Sequence, residues 1–187
     1  MLTVCISKLK ISLGFSFLFL IAVNAMYYDR ITILCLWFCI LHELSHLAAM
    51  RIFGVQISEI SFYGGGIRIC ADGVDMLPIS QRLVVYFAGC AVNIAMSVVF
   101  GLINDTLSCA VNAAIAAFNL LPIDYFDGGK ILSAVFPSGV RALSVISRIT
   151  SISFIAFTVI AAVWSGTSIC ASKVIVLSFI ILSDLLE

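Results

Sequence analysis

Cys39-Ile40-Leu41-His42-Glu43-Leu44-Ser45-His46-Leu47-Ala48-Ala49 lies in the middle of an apolar run that extends from Ile31 to about Phe53. His42 and His46 are the only two histidines of the chain, and they frame the pattern H-E-x-x-H. On a helix, residues four apart sit one turn apart on the same face, so both imidazoles can reach one metal ion. Glu43, next in sequence, can serve as the general base that takes a proton from water. An ionised group at the centre of a bilayer costs about 3 kcal/mol on insertion scales, so such residues in an apolar helix mark a functional site by default.

Composition widens this reading from one helix to the chain. Of the 187 residues, 63% are hydrophobic and 11% charged, with a mean hydropathy of +1.21. A soluble domain is about half apolar and about a quarter charged. The expected class is therefore an all-α polytopic membrane protein, with a small β-hairpin after its second helix, forming a single membrane-embedded domain over residues 1–187; the segments that carry its motifs, about 31–136, are the expected catalytic core. The formal net charge is zero, and nothing in it points to nucleic acid. The seven cysteines form no C-x-x-C pair and read as small buried residues. Cys35, Cys39, His42 and His46 share one helical stripe, so Cys39 is either packing beneath the site or a competing metal ligand.

About six spans are predicted: Ile11 to Tyr28, Ile31 to about Phe53, Leu83 to Ile103, Leu107 to Leu121, about Leu143 to Trp164, and about Ile169 to Leu186. Lys8 and Lys10 before Ile11, and Val23-Asn24-Ala25 after it, give the first span a signal-peptide look. The apolar run continues through Met26 and Tyr27, which favours an uncleaved span. With the N-terminus inside, the inner loops hold Lys8, Lys10, Arg51, Arg68, Arg82, Lys130, Arg141 and Arg148, and the outer ones Arg30 and Lys173. That bias places both termini in the cytoplasm. At 1.5 Å per residue, His46 falls about 10 Å from the inner end of its helix, close to the cytoplasmic face.

Two further segments are informative. Val55 to Ile69 alternates, is rich in β-branched and aromatic residues, and contains Gly64-Gly65-Gly66; it reads as a β-hairpin after the second helix. At membrane depth such backbone is tolerated only against protein or a wet cavity, and its edge could receive an extended peptide. The alternative is an ordinary cytoplasmic loop. The second segment is Phe118-Asn119-Leu120-Leu121-Pro122-Ile123-Asp124-Tyr125-Phe126-Asp127-Gly128-Gly129-Lys130. An apolar helix runs into Pro122, breaks, and restarts after Asp-Gly-Gly. Catalytic zinc usually takes three protein ligands and one open position, so a third ligand of Asp, Glu or Cys type is required. Asp127 can supply it or can cap the restarting helix, and Asp124 is a second candidate.

H-E-x-x-H on one span and N-x-x-P-x-x-x-x-D-G on a later one resemble the site-2 protease family of intramembrane zinc metalloproteases. Gly89 and Asn93 in Ala88-Gly89-Cys90-Ala91-Val92-Asn93 are similar to that family's G-P-x-x-N segment, with Cys90 where proline is usual. The resemblance covers spans two to four and the hairpin. It implies one zinc ion per chain held by His42, His46 and Asp127, with Glu43 as general base. It places Asn119 and Asn93 near the site, binding substrate or stabilising an oxyanion; their other reading is interhelical hydrogen bonding. The hairpin resembles the family's membrane-reentrant β-hairpin. The implied substrate is a membrane-tethered protein, such as a pro-sigma or anti-sigma factor, and a membrane regulatory partner is possible. The compact layout, with neither PDZ nor nucleotide-sensing domain, is most similar to the sporulation-factor-processing branch. The rival readings are a catalytically inactive helix-binding relative and a metal transporter.

Overall fold

The computed structural model describes residues 2–6, 9–15, 17–18, 21–22, 30–63, 66–123, 126–137 and 145. The predicted sixth span, the fifth apart from Val145, Asp124 and half of the first span lie outside these residues.

Two short strands come first, β1 (Leu2–Ile6) and β2 (Leu9–Leu13), followed by helix α1 (Arg30–Ile52). A hairpin follows, β3 (Gln56–Tyr63) and β4 (Gly66–Asp72). A 3-10 turn at Val74–Met76 leads into α2 (Ile79–Leu102), α3 (Thr106–Asn119) and α4 (Asp127–Val135). The sequence-predicted second, third and fourth spans correspond to α1, α2 and α3, and the hairpin is present with Tyr63 opposite Gly66.

The expected all-α class needs correction. The four strands form one sheet in the order β1-β2-β3-β4, and residues 11–13, assigned to the first span, belong to β2. Hydropathy averaging hides the reason. In Leu9-Lys10-Ile11-Ser12-Leu13 the apolar residues alternate with polar ones, which is a strand pattern. Lys10 and Ser12 point at one acceptor on β3: Lys10 Nζ lies 3.1 Å from Glu59 Oε1, and Ser12 Oγ donates to the same oxygen at 2.7 Å. β2 runs parallel to β3, and α1 lies in the crossover that a parallel pair requires.

Each helix buries a polar stripe and turns apolar residues outward. On α1 the buried residues are Phe38, His42, His46, Ala49 and Met50, whereas Trp37 and Leu44 are more than half exposed. α2 buries Val85, Gly89, Cys90 and Asn93, and α3 buries Ser108, Val111, Asn112 and Ala116. The helix ends fix the stacking. Gly54 (φ 73°) closes α1, with Val55 N–H donating to Met50 O and Gly54 N–H to Arg51 O, a Schellman motif. Asn104 (φ 61°) closes α2 in the same way. Asp105 then caps α3 by accepting from Ser108 N–H and Ser108 Oγ. α1 and α2 are long and apolar enough to cross a membrane, and α3 is a shorter apolar helix.

Candidate metal centre

Two elements bring three side chains to one point. α1 contributes His42 and His46, and the first turn of α4 contributes Asp127. His42 Nε2 and His46 Nε2 are 3.1 Å apart, and each lies 3.0 Å from Asp127 Oδ2. All three residues are buried, with their ligand atoms grouped closely enough to hold one metal ion. Three donors about 2.0 Å from a tetrahedral ion stand about 3.3 Å from one another, close to the spacing found.

The donor chemistry passes a stricter test. His46 Nδ1 is 2.7 Å from the carbonyl oxygen of Val85, a group that only accepts, so Nδ1 carries the proton. His42 Nδ1 is 2.7 Å from Asn93 Oδ1, and Asn93 Nδ2 donates to Asn112 Oδ1 at 3.0 Å. With both Nδ1 atoms protonated, the neutral rings turn their Nε2 lone pairs toward each other and toward a carboxylate. Two imidazole lone pairs and a carboxylate oxygen converging in a buried pocket are a donor set that could take a metal cation. Outer partners of this kind fix the tautomer of metal-binding histidines.

Sterics bring the elements to this distance. A Cβ at Gly89 would meet both imidazole rings, Nε2 of each included. A Cβ at Gly128 would meet the carbonyl groups of Leu120 and Leu121. Glycine at both positions lets α2 lie against the imidazoles and lets α4 start against the end of α3. Asp127 does not cap its helix: Phe126 stands at the N-cap with no side-chain cap bond. Its second oxygen, Oδ1, is 3.4 Å from Lys130 Nζ.

The remaining sequence-predicted residues fall as follows. Glu43 is half-buried and within electrostatic reach of His46, His42, Lys130 and Asp127. Asn93 is fully buried and bonds to His42 and Asn112. Asn119 is half-buried and donates to Ile115 O in its own helix at 3.0 Å. Cys39 is not in the ligand group; the thiol beside the ligands is Cys90, whose Sγ is 3.8 Å from Asp127 Oδ2. Sequence reading missed Asn112, Lys130 and the Val85 carbonyl. For Asn112 a signal existed, since an asparagine inside an apolar helix has the same standing as Asn93 and Asn119. A backbone carbonyl leaves none.

No family model matches the chain. A zinc metalloprotease of Methanocaldococcus jannaschii is 28% identical over 126 residues, which are 60% of this chain and 36% of that protein. A Mycobacterium tuberculosis protein that carries the name zinc metalloprotease Rip3 is 29% identical over 110 residues, 50% of this chain and 27% of its own length. The chain thus spans about a third of the length of the curated relatives it matches. Among solved structures, the site-2 protease from Methanocaldococcus jannaschii superposes with a TM-score of 0.66 at 21% identity, covering 96% of this chain and 92% of the other. The chain therefore has the site-2 protease fold, with His42, His46 and Asp127 gathered inside it as a group able to hold a metal ion.

Proposed function

We propose that this chain is an intramembrane zinc metalloprotease that hydrolyses a peptide bond in or near a transmembrane segment of a membrane-tethered protein. The observation that carries the reading is the convergence of two imidazole Nε2 atoms and one carboxylate oxygen within 3.1 Å of one another, each ring held from behind by an acceptor. Zinc in that position would polarise a peptide carbonyl and lower the pKa of water. His42, His46 and Asp127 hold it, and each keeps its second polar atom bonded elsewhere, so the set is preorganised.

Glu43 follows His42 directly and lies within electrostatic reach of all three ligands. It takes a proton from the attacking water and returns it to the leaving nitrogen. Asn119, at the C-terminal end of α3, is the residue proposed to reach the substrate carbonyl. Asn93 acts from behind His42. The substrate must be extended before it is cut, because a helix hides its carbonyls in its own hydrogen bonds. β2 already occupies one side of β3, whereas β4 ends the sheet among the described residues. Of the two hairpin strands, the one open to an incoming peptide is thus β4. The substrate class is a membrane-tethered regulator such as a pro-sigma or anti-sigma factor, and the compact helical core fits the sporulation-factor-processing branch.

The test uses purified protein in proteoliposomes with a tethered peptide substrate. Glu43→Gln is expected to retain zinc and to cut at least a hundredfold more slowly, the low end of what a general base contributes. Cleavage at the wild-type rate by Glu43→Gln would overturn the reading. Elemental analysis beside it should find about one zinc per chain, lost in Asp127→Ala and kept in Asp124→Ala.

A further inference from the structure

The two histidines are locked by different means. His46 faces a backbone carbonyl directly. His42 faces the Asn93 side chain, an amide that could present either its oxygen or its nitrogen. Only one orientation leaves Nε2 free to bind a metal. If the amide turned over, its NH2 group would face Nδ1, and the proton of the ring would move to Nε2.

What decides the orientation lies one helix farther away. Asn112 Nδ2 is 2.8 Å from the carbonyl oxygen of Ser108, which can only accept. That contact fixes the nitrogen end of Asn112 toward Ser108 and its oxygen toward Asn93. Asn93 must then turn its own nitrogen toward Asn112, at 3.0 Å, and its oxygen toward His42, at 2.7 Å. Both asparagines are fully buried, so water does not compete for these bonds. Ser108 is held in turn by Asp105, which accepts from its backbone N–H and from its hydroxyl.

We propose that Asn112 is a positioning residue that fixes the polarity of the Asn93 amide, and through it the metal-binding tautomer of His42. The chain of bonds Ser108–Asn112–Asn93–His42 carries the direction of one backbone carbonyl on α3 across α2 to the ligand on α1. The proposal deepens the metalloprotease reading and rests on it for its purpose. The tautomer itself is a property of the metal-free protein.

The chain has only two histidines, so full-length, metal-stripped protein labelled with 15N-histidine reports both rings and no others. In the wild type both should be protonated on Nδ1. In Asn112→Leu, which keeps the number and branching of side-chain heavy atoms and removes both bonds, the His42 ring should gain a population that lacks the Nδ1 proton, while His46 stays unchanged. Zinc affinity, measured by chelator competition, should fall at least about tenfold. An Asn93→Asp background supplies the control, because a carboxylate accepts whichever way it turns. In that background Asn112→Leu should change zinc affinity by no more than about twofold. Asn112→Ala serves as the second variant if Asn112→Leu does not fold, with helical content as the check. Retention of the Nδ1 proton on His42 in a folded Asn112 variant would overturn the proposal. Equal loss of zinc affinity in both backgrounds would do the same, showing that Asn112 only packs. A wild type that binds no zinc would sink the protease reading, and the His42 tautomer would still decide this one.

Discussion

At Gly89 a missing side chain is what lets α2 touch two imidazoles at once. A methyl group there would overlap both rings, and overpacking of a filled interior costs about 1–3 kcal/mol. The rings cannot retreat, because each is tied from behind, His42 to Asn93 and His46 to Val85 O. Gly89→Ala is therefore expected to push α2 and α1 apart and to lower bound zinc well below one per chain, with helical content preserved. Elemental analysis beside circular dichroism would check it, and full zinc occupancy at wild-type affinity would mean that α2 shifts without cost. The same locality explains what could be read from sequence. His42 and His46 declare themselves because helical spacing puts them on one face, and Asp127 because a metal needs a third ligand. Asn93 was visible as a polar residue in an apolar helix, but its partner atom was not, since facing α1 rather than an incoming peptide is a matter of how α2 rotates in the bundle.

The elements were legible where their signal was periodic and long. α1, α2 and α3 each carry a predominantly apolar run, and the hairpin carries alternation with glycines at its turn. β1 and β2 are five residues each, beside a longer apolar run that dominates any average, and a parallel partner 49 positions away along the chain leaves no local trace. Glu59 is the hinge of that pairing, accepting from Lys10, Ser12 and Ser61. It lies outside both long apolar helices, and these bonds, led by Ser12 and then Lys10 and Ser61, hold its carboxyl below its ordinary value of 4.5. A carboxyl depressed in the folded state stabilises it fully above the unfolded value and loses that contribution as pH falls through the folded one. The β2–β3 pairing should thus be unaffected between pH 8 and about 6 and should loosen only below about pH 4.5. Hydrogen exchange of the β2 amides, after correction for intrinsic rates, would show it; Glu59→Gln should exchange faster at neutral pH and lose the acid step. An identical acid step in Glu59→Gln would assign it to another group.

At the scale of the whole molecule, the described residues bury an unusual share of polar groups and expose many large apolar ones. The interior holds His42, His46, Asn93, Asn112 and Asp127, while Trp37, Leu44, Val98 and Leu102 face outward. Such a surface is stable where lipid, not water, surrounds it, and the buried polar set is then satisfied from within. The two ends of the bundle differ in their lysine and arginine content. Arg51 and Arg82 flank the sheet at the end where α1 finishes and α2 begins, and Lys10 and Arg68 lie on the sheet itself. Arg30 stands at the opposite end, within electrostatic reach of Asp105. Positive charge gathers on the cytoplasmic side of membrane proteins, so the sheet should face the cytoplasm. Cys5 on β1 and Cys70 on β4 are exposed and free, which makes each a reporter once the other cysteines are replaced. A membrane-impermeant maleimide should label both in inside-out vesicles and neither in intact cells. Labelling from outside would turn the molecule over, put the sheet on the opposite face, and require substrates that pair with it to present their extended segment there.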